Sequence, residues 1–147
     1  MKILILSDNH SRRIDDFDFL KYDYIIHCGD YGDSLDIINN KNIIYVKGNC
    51  DSYGEKEVLI DINDKKYLIT HGDLYGVKYD YLRLELKALS SNADIILFGH
   101  THRQTYFKDK GKIFINPGSY QEDEYVEIED NKIKLMVGKT LKKLYVM

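Results

Sequence analysis

A chain of 147 residues, 44% hydrophobic and 31% charged, has the size and balance of one globular domain covering residues 1–147. No apolar run approaches the ~18 residues of a membrane span, and Met1-Lys2 leads straight into an apolar run, so no cleaved leader is expected and a cytoplasmic location is. A net charge of −3 excludes the basic field that tracks a long nucleic acid, and Cys28 and Cys50 make no spaced disulfide framework.

Apolar runs alternate with polar amphipathic stretches through the first half, an α/β pattern of βαβ units around a largely parallel sheet. Lys2 to Leu6 reads as a strand, and Ser11 as the cap of a short helix through Leu20. Tyr24 to His27 is the next strand, Ser34 to Asn40 a helix, and Ile43 to Val46 a third strand. Lys56 to Ile62 and Lys65 to Thr70 form a hairpin around Asn63-Asp64, two residues suited to a tight turn. Tyr79 to Leu89 places Leu82, Leu86 and Leu89 four and three residues apart, the mark of an amphipathic helix that Ser90-Ser91-Asn92 closes. A buried strand at Asp94 to Phe98 follows. Short strands at Gln104 to Phe107, Lys112 to Ile115, Glu124 to Ile128 and Lys132 to Val137 then point to antiparallel pairing, while the tail from Lys139 fits strand and helix equally.

Four of the five histidines stand in short polar clusters, each directly after an apolar run. Asp8-Asn9-His10 follows Ile3 to Leu6, His71-Gly72 follows Tyr67 to Ile69, and Gly99-His100-Thr101-His102 follows Ile95 to Phe98. Gly29-Asp30 and Gly48-Asn49 occupy the same kind of position after two further runs. These clusters would meet wherever the carboxyl ends of the strands meet, and imidazole, carboxylate and amide oxygen together are ligands for a first-row transition metal. In four of these five clusters a glycine, Gly29, Gly48, Gly72 or Gly99, lets the chain turn off its strand and approach a metal or phosphate.

In order, Asp8-x-His10, Gly29-Asp30, Gly48-Asn49-x-Asp51, His71-Gly72 and Gly99-His100-x-His102 resemble the signature of calcineurin-like metallophosphoesterases. The resemblance extends through Asn116-Pro117-Gly118-Ser119, and the small size looks like the bacterial and archaeal phosphodiesterase branch. It implies a four-layer α/β/β/α sandwich with the metal site at the carboxyl ends of the strands. It also implies that Asp8, His10 and His102 bind one divalent ion, that Asn49, His71 and His100 bind another, and that Asp30 bridges them. Two such ions roughly 3.5 to 4 Å apart need a shared anionic ligand to offset their repulsion. The implied reaction is hydrolysis of a phosphodiester by a metal-bridging hydroxide, with Asp30, Asn49, His71 and His100 as catalytic residues, and Mn²⁺ as the expected metal ahead of Ni²⁺, Fe²⁺, Zn²⁺ or Mg²⁺. The expected partner is a small phosphate ester, nucleotide-like in the fullest version, rather than a long nucleic acid or a membrane. A homo-oligomer is compatible with this.

Departures from the family pattern shape the expectation. Many members carry histidine where this chain has Cys50, and a thiol is a poorer acid for a leaving group than an imidazolium, which favours diesters over monoesters. Asp73 stands where His-Gly-His is common, and Ser11 where glycine is common. Substrate contacts are expected from Asn9 and Arg103, with Arg12 and Arg13 as weaker candidates, and Tyr31, Tyr53 and Tyr75 are candidates to line a cleft. His27 reads as a core histidine. The two competing readings are a phosphomonoesterase and a metal-binding protein-interaction scaffold of the same fold, as in the retromer subunit that resembles this family.

Overall fold

The computed structural model describes residues 1–37 and 43–147. Its strands are β1 Lys2–Leu6, β2 Tyr24–His27, β3 Ile43–Tyr45, β4 Glu57–Ile62, β5 Lys65–Thr70, β6 Ile95–Leu97, β7 Thr105–Asp109, β8 Lys112–Asn116, β9 Glu124–Glu129, β10 Lys132–Val137 and β11 Thr140–Val146. Helix α1 spans Leu82–Ser91. Two mixed sheets result, one in the order β11-β10-β9-β1-β2-β3 and the other β4-β5-β6-β8-β7. The parallel pairs expected of the first half are β1 with β2 and β2 with β3, whereas β9 and β10 pair antiparallel as the second half predicts.

Continuous apolar runs here mean burial on both faces. Ile3 and Ile5 of β1 face the layer between the sheets, where they meet Ile69 and Leu97 of the second sheet, while Leu4 and Leu6 face outward onto Ile14, Tyr31 and Tyr120. β6 repeats the division: Ile95 and Leu97 point inward, and Ile96 and Phe98 face Leu84 and Ala88 of α1. Asn63 and Asp64 both take left-handed φ, 50° and 66°, as a two-residue hairpin turn of type I′ requires. The basic tail joins β10 as a strand.

Three expectations about helices change. Ser11 caps no helix, because its φ of 89° follows a left-handed His10, and Arg12 is tied to the Tyr120 carbonyl and to Asp123 (2.6 Å); only a 3-10 turn at Phe19–Lys21 forms, capped by Asp18. Ser34–Ile37 is likewise a 3-10 turn, and the remainder of the helix expected through Asn40 lies outside the described residues. Among the described residues, the layer outside the first sheet is therefore turns and loops. In α1 the buried residues are Leu84 and Ala88, while Leu82, Leu86 and Leu89 are 60%, 56% and 43% exposed. Spacing alone fitted either stripe; the small Ala88 lets the Leu84 side approach the sheet closely. No helix among the described residues is long and apolar enough to cross a membrane.

Candidate metal centre

The carboxyl ends of β1, β2, β3, β5 and β6 deliver their clusters to one edge of the sandwich. Backbone bonds lock the clusters together: the Asp8 N–H donates to the Gly29 carbonyl (3.0 Å), the His10 N–H to Asp30 (2.9 Å) and the Gly99 N–H to His71 (2.9 Å). The approach is close enough to demand glycine at two points. A side chain at Gly48 would overlap Asp30 Oδ1 and the Asp30 amide, and one at Gly99 would overlap Ser7 Oγ and lie 2.6 Å from Asp8 Oδ2. Asp8, His10, Asp30, His100 and His102 all hold left-handed backbone, with φ between 50° and 72°. Non-glycine residues in that region carry strain of order 1–3 kcal/mol each and persist where the surroundings over-determine them.

All seven expected ligands come together. Asp8, His10 and His102 form one group, and Asp30, His71 and His100 a second. Asn49 joins the second through its Oδ1, 3.0 Å from His71 Nε2. His10 Nε2 and His102 Nε2 are 3.3 Å apart, and His100 Nδ1 lies 3.2 Å from His71 Nε2. Asp30 stands between the groups: its Oδ1 accepts the Cys50 N–H (2.9 Å), and its Oδ2 faces His71 Nε2 at 3.2 Å and His10 Nε2 at 3.8 Å.

One atom tests whether a metal fits. Asp8 Oδ1 is fully buried and has no hydrogen-bond partner. It lies 3.2 Å from His102 Nε2, outside hydrogen-bond geometry, with His71 Nε2 at 3.8 Å and His10 Nε2 at 3.9 Å. A buried carboxylate oxygen left unpaired among three imidazoles is costly unless a cation sits among them. His71 Nδ1 must carry its proton, since its partner is the Cys28 carbonyl (2.8 Å), so Nε2 presents a lone pair to the centre. The donor set suits a divalent transition metal.

Electrostatics follow the same plan. Burial works against the Asp30 carboxylate, but contact with His71 and the Cys50 amide outweigh it and hold its carboxyl below the ordinary range. Burial lowers the proton affinity of His71, and Asp30 and Asp8 more than reverse this. His100 is pulled down by burial, then by His71 and Lys78. Burial and the Asp30 charge push the Cys50 thiol up, so it rests protonated.

A second set of residues holds the ligand loops in place. Asp51 accepts N–H bonds from Asp30 (2.7 Å), Gly48 (2.8 Å), Tyr31 (3.1 Å) and Gly32 (3.3 Å), so it splices two ligand loops. Asp8 Oδ2 accepts from Ser7 Oγ (2.6 Å) and the His100 N–H (3.0 Å). The turn at Asn116 to Ser119 braces both sides: Ser119 Oγ donates to the Asp8 carbonyl (2.8 Å), and Asn116 Nδ2 to the Gly99 carbonyl (3.1 Å) and Thr101 Oγ1 (2.9 Å). The signal for these residues lay in the Asn-Pro-Gly-Ser turn and in the acid two positions after Asn49.

Asn9 does not face a substrate. Its side chain is buried, its amide nitrogen donates to the Arg12 carbonyl and Ser34 Oγ (both 2.7 Å), and its oxygen meets His27 Nε2 at 2.6 Å. The expected substrate contact from Asn9 is therefore corrected to a structural one. Arg12 is committed to Asp123, and Arg13 lies 3.7 Å from Asp15, whereas Arg103 lines an open cleft. Tyr31 is buried and Tyr75 is bound to Glu57; of the three candidate tyrosines Tyr53 is exposed, beside Cys50.

Comparison with known proteins agrees with this geometry. The calcineurin-like phosphoesterase superfamily domain matches residues 1–136. The chain is 36% identical over 126 residues to a probable metallophosphoesterase of Bacillus subtilis, covering 81% of this chain and 75% of that protein. It is 35% identical over 147 residues to a phosphodiesterase of Methanocaldococcus jannaschii, covering 80% and 83%. The crystal structure of wild-type Vps29 complexed with Zn²⁺ from Entamoeba histolytica shares the fold with a TM-score of 0.80 at 21% identity, over 99% of each chain. The sandwich, its His/Asp ligand groups and the extent of the match place this chain in the calcineurin-like phosphoesterase superfamily.

Proposed function

We propose that the protein is a binuclear metal-dependent phosphodiesterase. The observation that carries this is Asp8 Oδ1, buried and unpaired among three imidazole nitrogens, with Asp30 between two ligand groups. Asp8, His10 and His102 would hold one ion, Asn49, His71 and His100 the other, and Asp30 both; Mn²⁺ is the leading candidate. Two ions bound there would supply a water acidified to a pKa of about 7 and positive charge for the phosphoryl oxygens.

The chain's own groups do the positioning. Cys28 fixes His71 through its carbonyl, Ser7 and the His100 amide fix Asp8, and Asp51 fixes the loop that carries Asn49. Asn49, His71 and His100 would hold an ion that supplies positive charge to the phosphate oxygens, and Arg103 would contact substrate. Nothing at Cys50 donates a proton readily, because its thiol is neutral and raised. Good leaving groups and diesters are therefore favoured, in line with the archaeal relative named a phosphodiesterase.

Purified protein assayed with Mn²⁺ on bis(4-nitrophenyl) phosphate and 4-nitrophenyl phosphate tests the reading. Diester turnover should exceed monoester turnover, and Asp30→Asn and His71→Ala should each abolish it. Diester turnover that survives both substitutions would overturn the binuclear mechanism. A preference for the monoester would favour a phosphomonoesterase, and two bound metals without turnover a scaffold.

A further inference from the structure

A cleft of about 420 Å³ opens beside the metal centre, lined by Lys78, Tyr79, Asp80, Tyr81, Thr101 and Arg103 among others. Thr101 lies between His100 and His102 in the chain, and its hydroxyl is pinned by Asn116 Nδ2 (2.9 Å) and the Arg103 N–H (3.1 Å). The cleft wall is thus continuous, through Thr101, with the loop that carries the two histidines.

The charge of the cleft is unspent. Neither the Lys78 ammonium nor the Arg103 guanidinium has an ion pair or side-chain hydrogen bond among the described residues, in contrast to Arg12, held 2.6 Å from Asp123. Asp80 is the single acid in the lining, and its Oδ1 accepts the Leu82 N–H (3.1 Å) at the start of α1. Aromatic surface accompanies the cations. Tyr81 is fixed by stacking on Phe107 (5.0 Å) and edge contact with Phe98 (5.5 Å), whereas the Tyr79 side chain is 93% exposed. Two free cations pair with a phosphate, and an exposed aromatic face stacks on a base. A smaller cleft on the Asn49 side, about 260 Å³, has Lys47 and Lys56 but no aromatic side chain in its lining.

We propose that the Lys78–Arg103 cleft holds the non-scissile end of a nucleotide diester, with the two cations on a second phosphate and Tyr79 on the base. The substrate class is then esters of nucleoside bisphosphates rather than simple diesters. This rests on the phosphodiesterase reading of the metal centre, and the test separates the two.

Two substrates with one leaving group isolate the second phosphate: thymidine 5′-(4-nitrophenyl phosphate), with and without a 3′-phosphate. With Mn²⁺-loaded protein at low ionic strength, kcat/KM should be about tenfold higher for the 3′-phosphorylated ester, and the ratio should shrink as salt rises. In Lys78→Met/Arg103→Met the ratio should fall to near one, whereas Lys47→Met/Lys56→Met should keep it. A wild-type ratio of one overturns the proposal, as does a ratio that survives loss of Lys78 and Arg103 or disappears with Lys47 and Lys56 instead. Should neither ester be hydrolysed, the phosphodiesterase reading fails, and calorimetry with thymidine 3′,5′-bisphosphate and thymidine 5′-phosphate decides the cleft. Tighter binding of the bisphosphate that depends on Lys78 and Arg103 supports it, and equal binding of the two overturns it.

Discussion

His27 should make the fold acid-labile. It is fully buried; its Nδ1 accepts the Gly29 N–H (3.0 Å), so Nε2 carries the proton and donates to Asn9 Oδ1 at 2.6 Å. A second proton would remove the acceptor for Gly29 and leave a charge in the core beside His71. Burial, then His71, lowers its pKa from 6.5 to about 3. Between those values the unfolded chain binds a proton that the folded chain refuses, so stability rises with pH across that window. The contribution is fully present above pH 6.5 and is lost as pH falls toward 3. At about 1.4 kcal/mol per pH unit the whole window is worth about 5 kcal/mol, and the part between pH 6.5 and 4.5 about 3 kcal/mol. Urea denaturation of metal-free protein, followed by circular dichroism, should be compared at those two pH values with His27→Gln, which offers a donor and an acceptor but does not titrate. The wild type should lose about 3 kcal/mol more than the variant over the interval, since carboxylate effects common to both cancel. Equal losses would mean that protonation of His27 does not destabilise the fold.

Four further substitutions probe the scaffold of the site and one helix face. Gly48→Ala would drive a methyl group into the Asp30 carboxylate and amide, so Mn²⁺ affinity measured by calorimetry should fall at least tenfold; unchanged affinity would mean that the two loops are not in contact. Asp51→Asn replaces a carboxylate that accepts four backbone N–H bonds, and should cost about 2–4 kcal/mol in urea unfolding and weaken metal binding with it, whereas a neutral result would remove Asp51 from the scaffold. Leu84→Ala should cost about 2–5 kcal/mol and Leu86→Ala under about 0.5, and the reverse order would put the other stripe of α1 on the sheet.

How far the chain could be read before folding depended on how local each signal was. Apolar runs such as Ile3 to Leu6 and Ile95 to Phe98 announce strands buried on both faces, and the residue types that follow them announce a ligand set. Asn63-Asp64 carries its own turn chemistry. The left-handed run at His10 and Ser11 carried no such signal, because it is imposed by the Asp30 carbonyl and by Arg12 reaching Tyr120 and Asp123, more than a hundred residues away. Helix α1 has two apolar stripes, and only the sheet decides between them. Asn9 looked like a donor at the mouth of the site but is the hydrogen-bond partner of His27, which is the core histidine its place in the strand announces. Asp51 was visible as an acid near Asn49, but four backbone donors from two loops meet only in the folded chain.

Anomalous diffraction from crystals grown with Mn²⁺ tests the central claim most directly. Two peaks about 3.5–4 Å apart are expected, one ringed by Asp8, His10 and His102, the other by Asn49, His71 and His100, with Asp30 touching both. A single peak, or an ion that leaves Asp8 Oδ1 without a partner, would contradict it.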